Sequence, residues 1–472
     1  MNKTHLAVVG AGPGGYAAAF LAADLGLEIT LIDPEINPGG VCLYRGCIPS
    51  KALLHAAKLI NETQEAGKWG LNYKKPEIDL DKLRSWKTKV VDQLTGGLGQ
   101  LIKQRKIRYI RGRAVYLDNH TLEITENSGG KYNLEFDYSI LATGSRPADI
   151  PGINIDSPHV LNSTGALDLK EIPEKMLIIG AGYIGLEMGT VYHALGTRIS
   201  VVEMMPGILP GADRDLTRVL EKRISGQFEE IMLNTKVTGL KALEDGVKVS
   251  FKLDDDTTKE QKFDKVLISI GRKPISGNIG LENTRVEIDS RGFVQVDQQG
   301  RTAEASIFAI GDIAGEPMLA HKASHEARTA VEVIAGHKAV FEPRAIPAVV
   351  FTDPEIAWAG LTETEAKEKN INVEVYRFPW AASGRALTLD RTEGLTKLIV
   401  NPENEQILGM AVVGSGAGEL IAEGVLAIEM AANVTDLKLT IHPHPTLSET
   451  IMETAEMFFG TSTHVYRPKR KK

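Results

Sequence analysis

Two stretches of this chain are built to one plan. HLAVVGAGPGGYAAAFLAADLGLEITLID, His5 to Asp33, reads as an apolar strand, a glycine turn, an alanine-rich helix and a second strand closing on an acid. KMLIIGAGYIGLEMGTVYHALGTRISVVE, Lys175 to Glu203, reads the same way. The turns are GxGxxG, with Gly10, Gly12 and Gly15 in the first and Gly180, Gly182 and Gly185 in the second, and from first glycine to acid the interval is 23 residues in both. The glycines permit a tight turn and close backbone approach to a pyrophosphate, the helix N-terminus faces its charge, and the acid accepts hydrogen bonds from a ribose hydroxyl. A lone GxGxxG says little, but strand, turn, helix and acid in the right order point to dinucleotide binding. The echo continues in ILATGSRP (140–147) and LISIGRKP (267–274), each running from an apolar strand into glycine and then proline. The chain thus holds an internal duplication of a nucleotide-binding unit, which predicts an α/β fold with two bound dinucleotides.

At 472 residues the length suits about three domains. Residues 81–106 have helical composition, and the strand through ILATG returns to the first sheet. Pro151 and Gly152 suggest a linker, after which the second unit is inserted and ends near Pro274; TAEASIFAIGD (302–312) then gives another strand ending at Gly311 and Asp312. From Arg344 the texture changes to alternating strands such as TKLIVN and GMAVVG and apolar helices such as GELIAEGVLAIEMAANV, read as a third domain. The expected division is 1–150 with 275–343, then 151–274, then 344–472. A hydrophobic fraction of 43% and a net charge of −7 give an ordinary globular chain, with no electrostatic reason to expect nucleic-acid or membrane binding. No run is long and apolar enough to read as a membrane span, and the basic end RPKRKK reads as a solvated tail.

GGVCLYRGCIP, Gly39 to Pro49, contains Cys42 and Cys47, the two cysteines of the whole sequence. Residues five apart on an ideal helix have Cα atoms roughly 8.6 Å from one another, beyond the reach of a disulfide. If the sulfurs bond, the segment is distorted between them, with Gly46 supplying the freedom and Pro49 suiting the first turn of a following helix. The plain alternative is two buried reduced thiols packed as small hydrophobes; a zinc site lacks further clustered ligands. Two cysteines in so long a chain do not make a secreted disulfide scaffold, and a cytoplasmic redox pair is the better reading.

With these parts in this order the sequence resembles the flavoprotein disulfide reductases over nearly its whole length, through GGxCLxxGCIP after the first nucleotide unit and IHPHPTLSE, with His444 and Glu449, near the end. Within them it is most similar to the dihydrolipoamide dehydrogenases. The resemblance implies two Rossmann-like domains, the second, for NAD, inserted in the first, for FAD, and an α+β C-terminal dimerisation domain. It places FAD on Gly10, Gly12 and Gly15, with Asp33 at the adenosine ribose and Asp312 at the ribityl chain. Lys51 would lie by the flavin ring, paired with Glu187, and further cofactor contacts are implied at Ala114, Thr143, Gly144, Ala320, Val237 and Gly271. NAD would take Gly180, Gly182 and Gly185. Glu203 favours NAD, because a carboxylate accepts from a free 2′-hydroxyl and repels the 2′-phosphate of NADP, and no arginine follows until Arg214.

The same resemblance makes Cys42 the thiol that exchanges with a dithiol substrate, Cys47 the sulfur against the flavin, His444 the base and Glu449 its orienting acid. The implied reaction is oxidation of protein-bound dihydrolipoamide with hydride passed to NAD⁺. The implied partners are a second copy of the chain, a lipoyl-bearing protein and the E2 core of a 2-oxo-acid dehydrogenase complex, or a glycine-cleavage system. No lipoyl-type domain stands at the N-terminus, so the lipoyl group is expected on another protein. A mercuric-ion reductase would add a C-terminal cysteine pair, a transhydrogenase would lack the paired thiols, and a non-catalytic nucleotide binder would not keep all four catalytic residues. Two departures bear on substrate preference: Tyr44 and Arg45 stand where Asn-Val is common, and Pro443 where alanine is usual. Arg45 is expected to point to solvent or else to lower a nearby thiol pKa.

Overall fold

The computed structural model describes residues 2–153 and 155–466, so the basic end Arg467 to Lys472 lies outside the described residues. β1 (Asn2–Val9), α1 (Pro13–Asp24) and β2 (Ile29–Asp33) form the first of the repeated units. β1 lies parallel to β2 on one side and to Lys131–Leu141 on the other, and Ile307–Ala309 adds a further parallel strand beyond it. Leu6, Ala7 and Val8 have no exposed surface, as expected of a parallel strand covered on both faces. Arg108–Tyr116, Thr121–Glu126 and Lys131–Leu141 complete this sheet as an antiparallel meander.

The second unit repeats the arrangement, with Lys175–Ile179 parallel to Arg198–Val202 and to Lys265–Ile268, and Val160–Leu161 and Glu230–Met232 at the edges. Glu203 falls just past its strand, whereas Asp33 is the last residue of β2. The duplicated glycines are fixed by the same crowding in both copies. A Cβ on Gly10 (φ +99°) would lie 2.3 Å from Ala142 O, and one on Gly15 would lie 1.8 Å from Gly10 O; at Gly180 (φ +101°) and Gly185 the corresponding contacts are 2.7 Å to Ser269 O and 2.4 Å to Gly180 O. No side chain fits there.

The two echo peptides pair with each other. Ser145–Pro147 and Arg272–Pro274 run antiparallel, Ser145 opposite Pro274 and Pro147 opposite Arg272. Backbone bonds from Ala148 N to Gly271 O (3.0 Å) and from Ile275 N to Gly144 O (2.9 Å) extend the ribbon. Both passages between the units therefore run side by side, as an inserted unit requires.

From residue 348 a five-stranded antiparallel sheet takes over, in the order Ala348–Val350, Glu355–Gly360, Ile407–Gly414, Leu395–Val400, Glu374–Pro379. The apolar run after Gly416 is not one helix: Ala417–Glu429 ends with Ala431 at φ +52°, and Asn433 caps a new helix, Val434–Leu439, by a reciprocal pair of bonds with Asp436. Lys397 of this sheet is fully buried, its Nζ 2.7 Å from Asp213 and 2.8 Å from both Asp215 and Glu363. Burial alone would lower its pKa, but the carboxylates outweigh that and raise it, so a charged cluster joins the second unit to the third. Among the described residues no helix is long and apolar enough to cross a membrane.

Candidate functional site

The segment after β2 breaks into two helices at Gly46. α2 (Gly40–Arg45) carries Cys42, and α3 (Cys47–Glu65) begins on Cys47 with Pro49 in its first turn. A Cβ on Gly46 would come within 3.0 Å of Val41 O and 3.3 Å of the Cys42 Cα. The spacing that forbids a pair on a continuous helix is thus resolved by a break, as the sequence predicts. Both thiols are free. The hydrogen bond shared with Cys42, then the charge of Lys51, lower the Cys47 thiol to about 7 against the opposing effect of burial. That same bond and burial push Cys42 up. The shared hydrogen bond therefore favours the thiol on Cys42 and the thiolate on Cys47, the first residue of a 19-residue helix.

Lys51, one turn beyond Cys47, reaches across to the second unit. Its Nζ is 2.9 and 3.2 Å from the two oxygens of Glu187, on helix Tyr183–Leu195, and 4.5 Å from the centre of the Phe351 ring, whose backbone N–H donates to the same carboxylate at 3.1 Å. Glu187 is only 3% exposed and Lys51 32%, so the bridge is buried at its carboxylate and half-buried at its ammonium.

Both cysteines and both members of that bridge open on one cavity of about 730 Å³. Its walls hold Gly10, Gly12 and Asp33 from the first unit, Ala114 from the meander, Thr143 and Gly144 from the turn into the ribbon, and Asp312 and Ala320 from the segment after the strand Ile307–Ala309. Gly15 lies beneath the turn. Its shape suits a dinucleotide. A Cβ on Gly12 would find nothing nearer than 4.0 Å and one on Gly144 nothing within 4 Å, and α1 has no side-chain cap, leaving its first-turn N–H groups for an anion. The same is true of Gly182, N-cap of its own helix, and of Gly271.

The two acids are held alike. Asp33 accepts from Ala11 N (2.7 Å) and Glu35 N (2.9 Å), and Glu203 from Ala181 N (2.7 Å) and Met205 N (2.8 Å). Each oxygen keeps a lone pair for a ribose hydroxyl. Burial raises the Asp33 carboxyl in spite of its bonds. Gly180, Gly182, Gly185, Glu203 and Gly271 gather at the ends of the parallel strands of the second sheet, where such folds bind nucleotides. Val237 has its side chain packed in the apolar core, so only its backbone is available to a ligand.

His444 and Glu449 meet each other but not the cavity. His444 Nδ1 is 2.8 Å from Glu449, which begins helix Glu449–Phe459 and also accepts from Thr446 N at 2.7 Å. Burial would raise the Glu449 carboxyl, but these two partners hold it below the usual range. The imidazole is 75% exposed, and among the described residues none beyond Ala323 lines the cysteine cavity.

Arg45 is partly exposed, as expected, and it also holds a partner that the sequence did not show, its Nη2 lying 2.5 Å from Glu35. Sequence reasoning also missed Ser145 and Arg272, which follow the glycine in the two echo peptides. Ser145 Oγ donates to Asp312, and Arg272 Nε donates to Ser145 Oγ at 2.7 Å. Their equivalent places in the repeat were the available signal.

The sequence model described as pyridine nucleotide-disulphide oxidoreductase matches residues 4–327, and that of the dimerisation domain of the same proteins matches 346–455. The chain is 48% identical to the dihydrolipoyl dehydrogenase of Vibrio cholerae over 470 residues, covering 100% of this chain and 98% of that protein. It is 42% identical to the dihydrolipoyl dehydrogenase of Geobacillus stearothermophilus, covering 98% of each. The fold is similar to the crystal structure of LpdA from Mycobacterium tuberculosis (TM-score 0.89, 26% identity, 97% of this chain and 99% of that one). It is also similar to the HOCl-induced flavoprotein disulfide reductase RclA from Escherichia coli (TM-score 0.85, 26% identity, 96% and 99%).

Proposed function

Since the chain belongs to the pyridine nucleotide-disulphide oxidoreductase family, we propose that it is an NAD-dependent dihydrolipoyl dehydrogenase, a homodimeric flavoprotein that oxidises protein-bound dihydrolipoamide. The observation that carries this reading is the Cys42–Cys47 pair, its charge held on Cys47, opening on a cavity that reaches from the first glycine turn to the Lys51–Glu187 bridge. In this reading residues 1–150 and 275–343 hold FAD, 151–274 hold NAD and 344–472 form the dimer. Apart from the ribbon of Ser145–Pro147 with Arg272–Pro274, each sheet lies within one stretch, which supports that division, and the exposed apolar side chains of Leu426, Met430, Leu439 and Ile441 support the dimer face.

The chain's own residues divide the work. With Cys42 and Cys47 as a disulfide, a substrate thiolate attacks Cys42 and expels Cys47 as a thiolate, which the Lys51 charge favours. The second substrate thiol then displaces Cys42, closing the lipoyl ring and leaving the dithiol. His444 of the partner subunit takes the proton from the attacking thiol, and the partner's Glu449 keeps the ring oriented. FAD, when bound, carries the two electrons from the cysteine pair to the nicotinamide. Gly10, Gly12, Asp33 and Asp312 would hold it, and the Lys51 ammonium would stabilise added negative charge on the ring. The lipoyl group arrives on another protein, for which the E2 core of a 2-oxo-acid dehydrogenase complex in the cytoplasm is the proposed source.

The test is direct. The FAD-loaded protein is expected to reduce NAD⁺ with dihydrolipoamide and to leave NADPH unoxidised with glutathione disulfide. The opposite pair of results would refute the assignment.

Nucleotide choice is expected to rest on Glu203. Replacing it with glutamine and placing arginines at 204 and 205, where Met204 and Met205 are exposed, should shift the NAD-to-NADP ratio of kcat/KM toward NADP by about 100-fold, the size of one lost repulsion and one gained phosphate contact. An unchanged ratio in steady-state kinetics would remove Glu203 from the ribose.

A further inference from the structure

The two residues that depart from the family pattern between the cysteines both turn back onto the chain leading out of β2. Tyr44 Oη donates to Asn37 O at 3.0 Å and accepts from Asn37 N at 3.3 Å, and Arg45 Nη2 is 2.5 Å from Glu35. Glu35 is itself pinned on both sides of its backbone, its N–H to Asp33 and its C=O to the Tyr109 hydroxyl at 3.0 Å. Asp33, Glu35 and Arg45 all line the large cavity. At its other end α2 touches the glycine turn: a Cβ on Gly40 would lie 2.5 Å from the Gly12 Cα, and Gly39 N donates to Ala11 O at 2.8 Å.

A helix of six residues with no side-chain cap does not hold its own place. α2 packs through buried Leu43 and against the helices Cys47–Glu65 and Leu80–Gln104, and polar and backbone contacts hold its two ends, the nucleotide turn at Gly40 and the segment after Asp33 at Tyr44 and Arg45. We propose that Tyr44 and Arg45 form a clasp that makes the redox helix part of the grip on FAD, so that one set of contacts governs both cofactor retention and the placement of Cys42 beside Cys47. Both are positioning residues, and the inference rests on the flavoprotein reading above. The clasp lies at the adenosine end of the cavity, beside Asp33, and its ion pair is partly exposed, 41% at Arg45 and 25% at Glu35. It therefore responds to salt as well as to substitution.

The experiment uses the FAD-loaded enzyme and two readouts: the rate of FAD release on dilution, followed by the fluorescence of free flavin, and the rate at which diamide closes the reduced Cys42–Cys47 pair by removing its two hydrogens. Arg45→Val and Glu35→Gln are each expected to speed release about tenfold, the equivalent of one charge-assisted bond of about 1.4 kcal/mol. The double variant should release no faster than either single one, since both remove the same contact, and Arg45→Lys should recover part of the loss. Pair closure should slow in the same variants, which loss of a surface charge alone would not cause. Tyr44→Phe gives a separate test of the other half of the clasp if the charge variants fold poorly. Salt offers a further one, because 0.5 M KCl should speed release from the wild type and not from Arg45→Val. Release within twofold of wild type, effects that multiply in the double variant, or unchanged pair closure would each overturn the clasp. Failure of the wild-type chain to take up FAD would instead refute the flavoprotein reading.

Discussion

Cys42→Ser is expected to stop turnover, by roughly 10⁴-fold or more, as loss of a covalent nucleophile does, while FAD remains bound. The informative result lies in Cys47. With serine at 42 a hydroxyl can still donate to the Cys47 sulfur, and Lys51 still stands by, so the two leading causes of the lowered pKa persist. Cys47 should therefore ionise below the ordinary thiol range, being thiol below that pH and thiolate above it. Its alkylation by iodoacetamide should rise through that pH, together with the long-wavelength absorption of a thiolate lying against oxidised flavin. Cys42→Ala removes the donor altogether, and both transitions should move to higher pH. Cys47→Ser is equally inactive but should lack the absorption at neutral pH, since burial still holds the Cys42 thiol up. Appearance of the absorption in Cys47→Ser and not in Cys42→Ser would exchange the roles of the two sulfurs.

What was legible in the sequence was whatever short-range geometry dictates. Gly10 and Gly15 are readable because a strand-to-helix turn leaves no room for a side chain, and Gly46 because two cysteines five apart need a break between them. The Lys51–Glu187 bridge spans 136 positions and two units; only the family resemblance joined them, since each alone looks like helix-surface charge. The partner of Arg45 went unseen for a related reason. A basic residue on a short helix is normally solvated, and its actual partner is selected by the path of residues 34–39, which no local pattern specifies. The Ser145–Arg272–Asp312 contacts were recoverable in principle, because the echo peptides put serine and arginine at equivalent places. Equivalence in a repeat, however, does not say that the two copies touch. The helix break at Met430 went unseen because apolar periodicity continues across it, and the stop is made by Asn433 and Asp436 capping the next helix.

His444 supplies the sharpest remaining test, because the proposed function takes this base from the other copy of the chain. The histidine is mostly exposed, it is fixed by Glu449, and neither residue is among the described residues that line the cysteine cavity. A base in that condition serves a surface that is brought to it, and in a twofold dimer that surface belongs to the other copy. Cys42→Ser and His444→Ala chains, each inactive alone, should therefore complement when mixed under conditions that dissociate and re-form dimers. Random pairing makes half the dimers mixed. In each of these one site combines both substitutions and the other combines intact Cys42 with intact His444, so roughly a quarter of wild-type activity should return. A site contained within one chain would recover none, because every chain in the mixture carries one lesion. Mixed dimers demonstrated by mass spectrometry, with activity still at the level of the separate variants, would place the proton acceptor for dihydrolipoamide elsewhere and leave the His444–Glu449 pair a structural feature of the third domain.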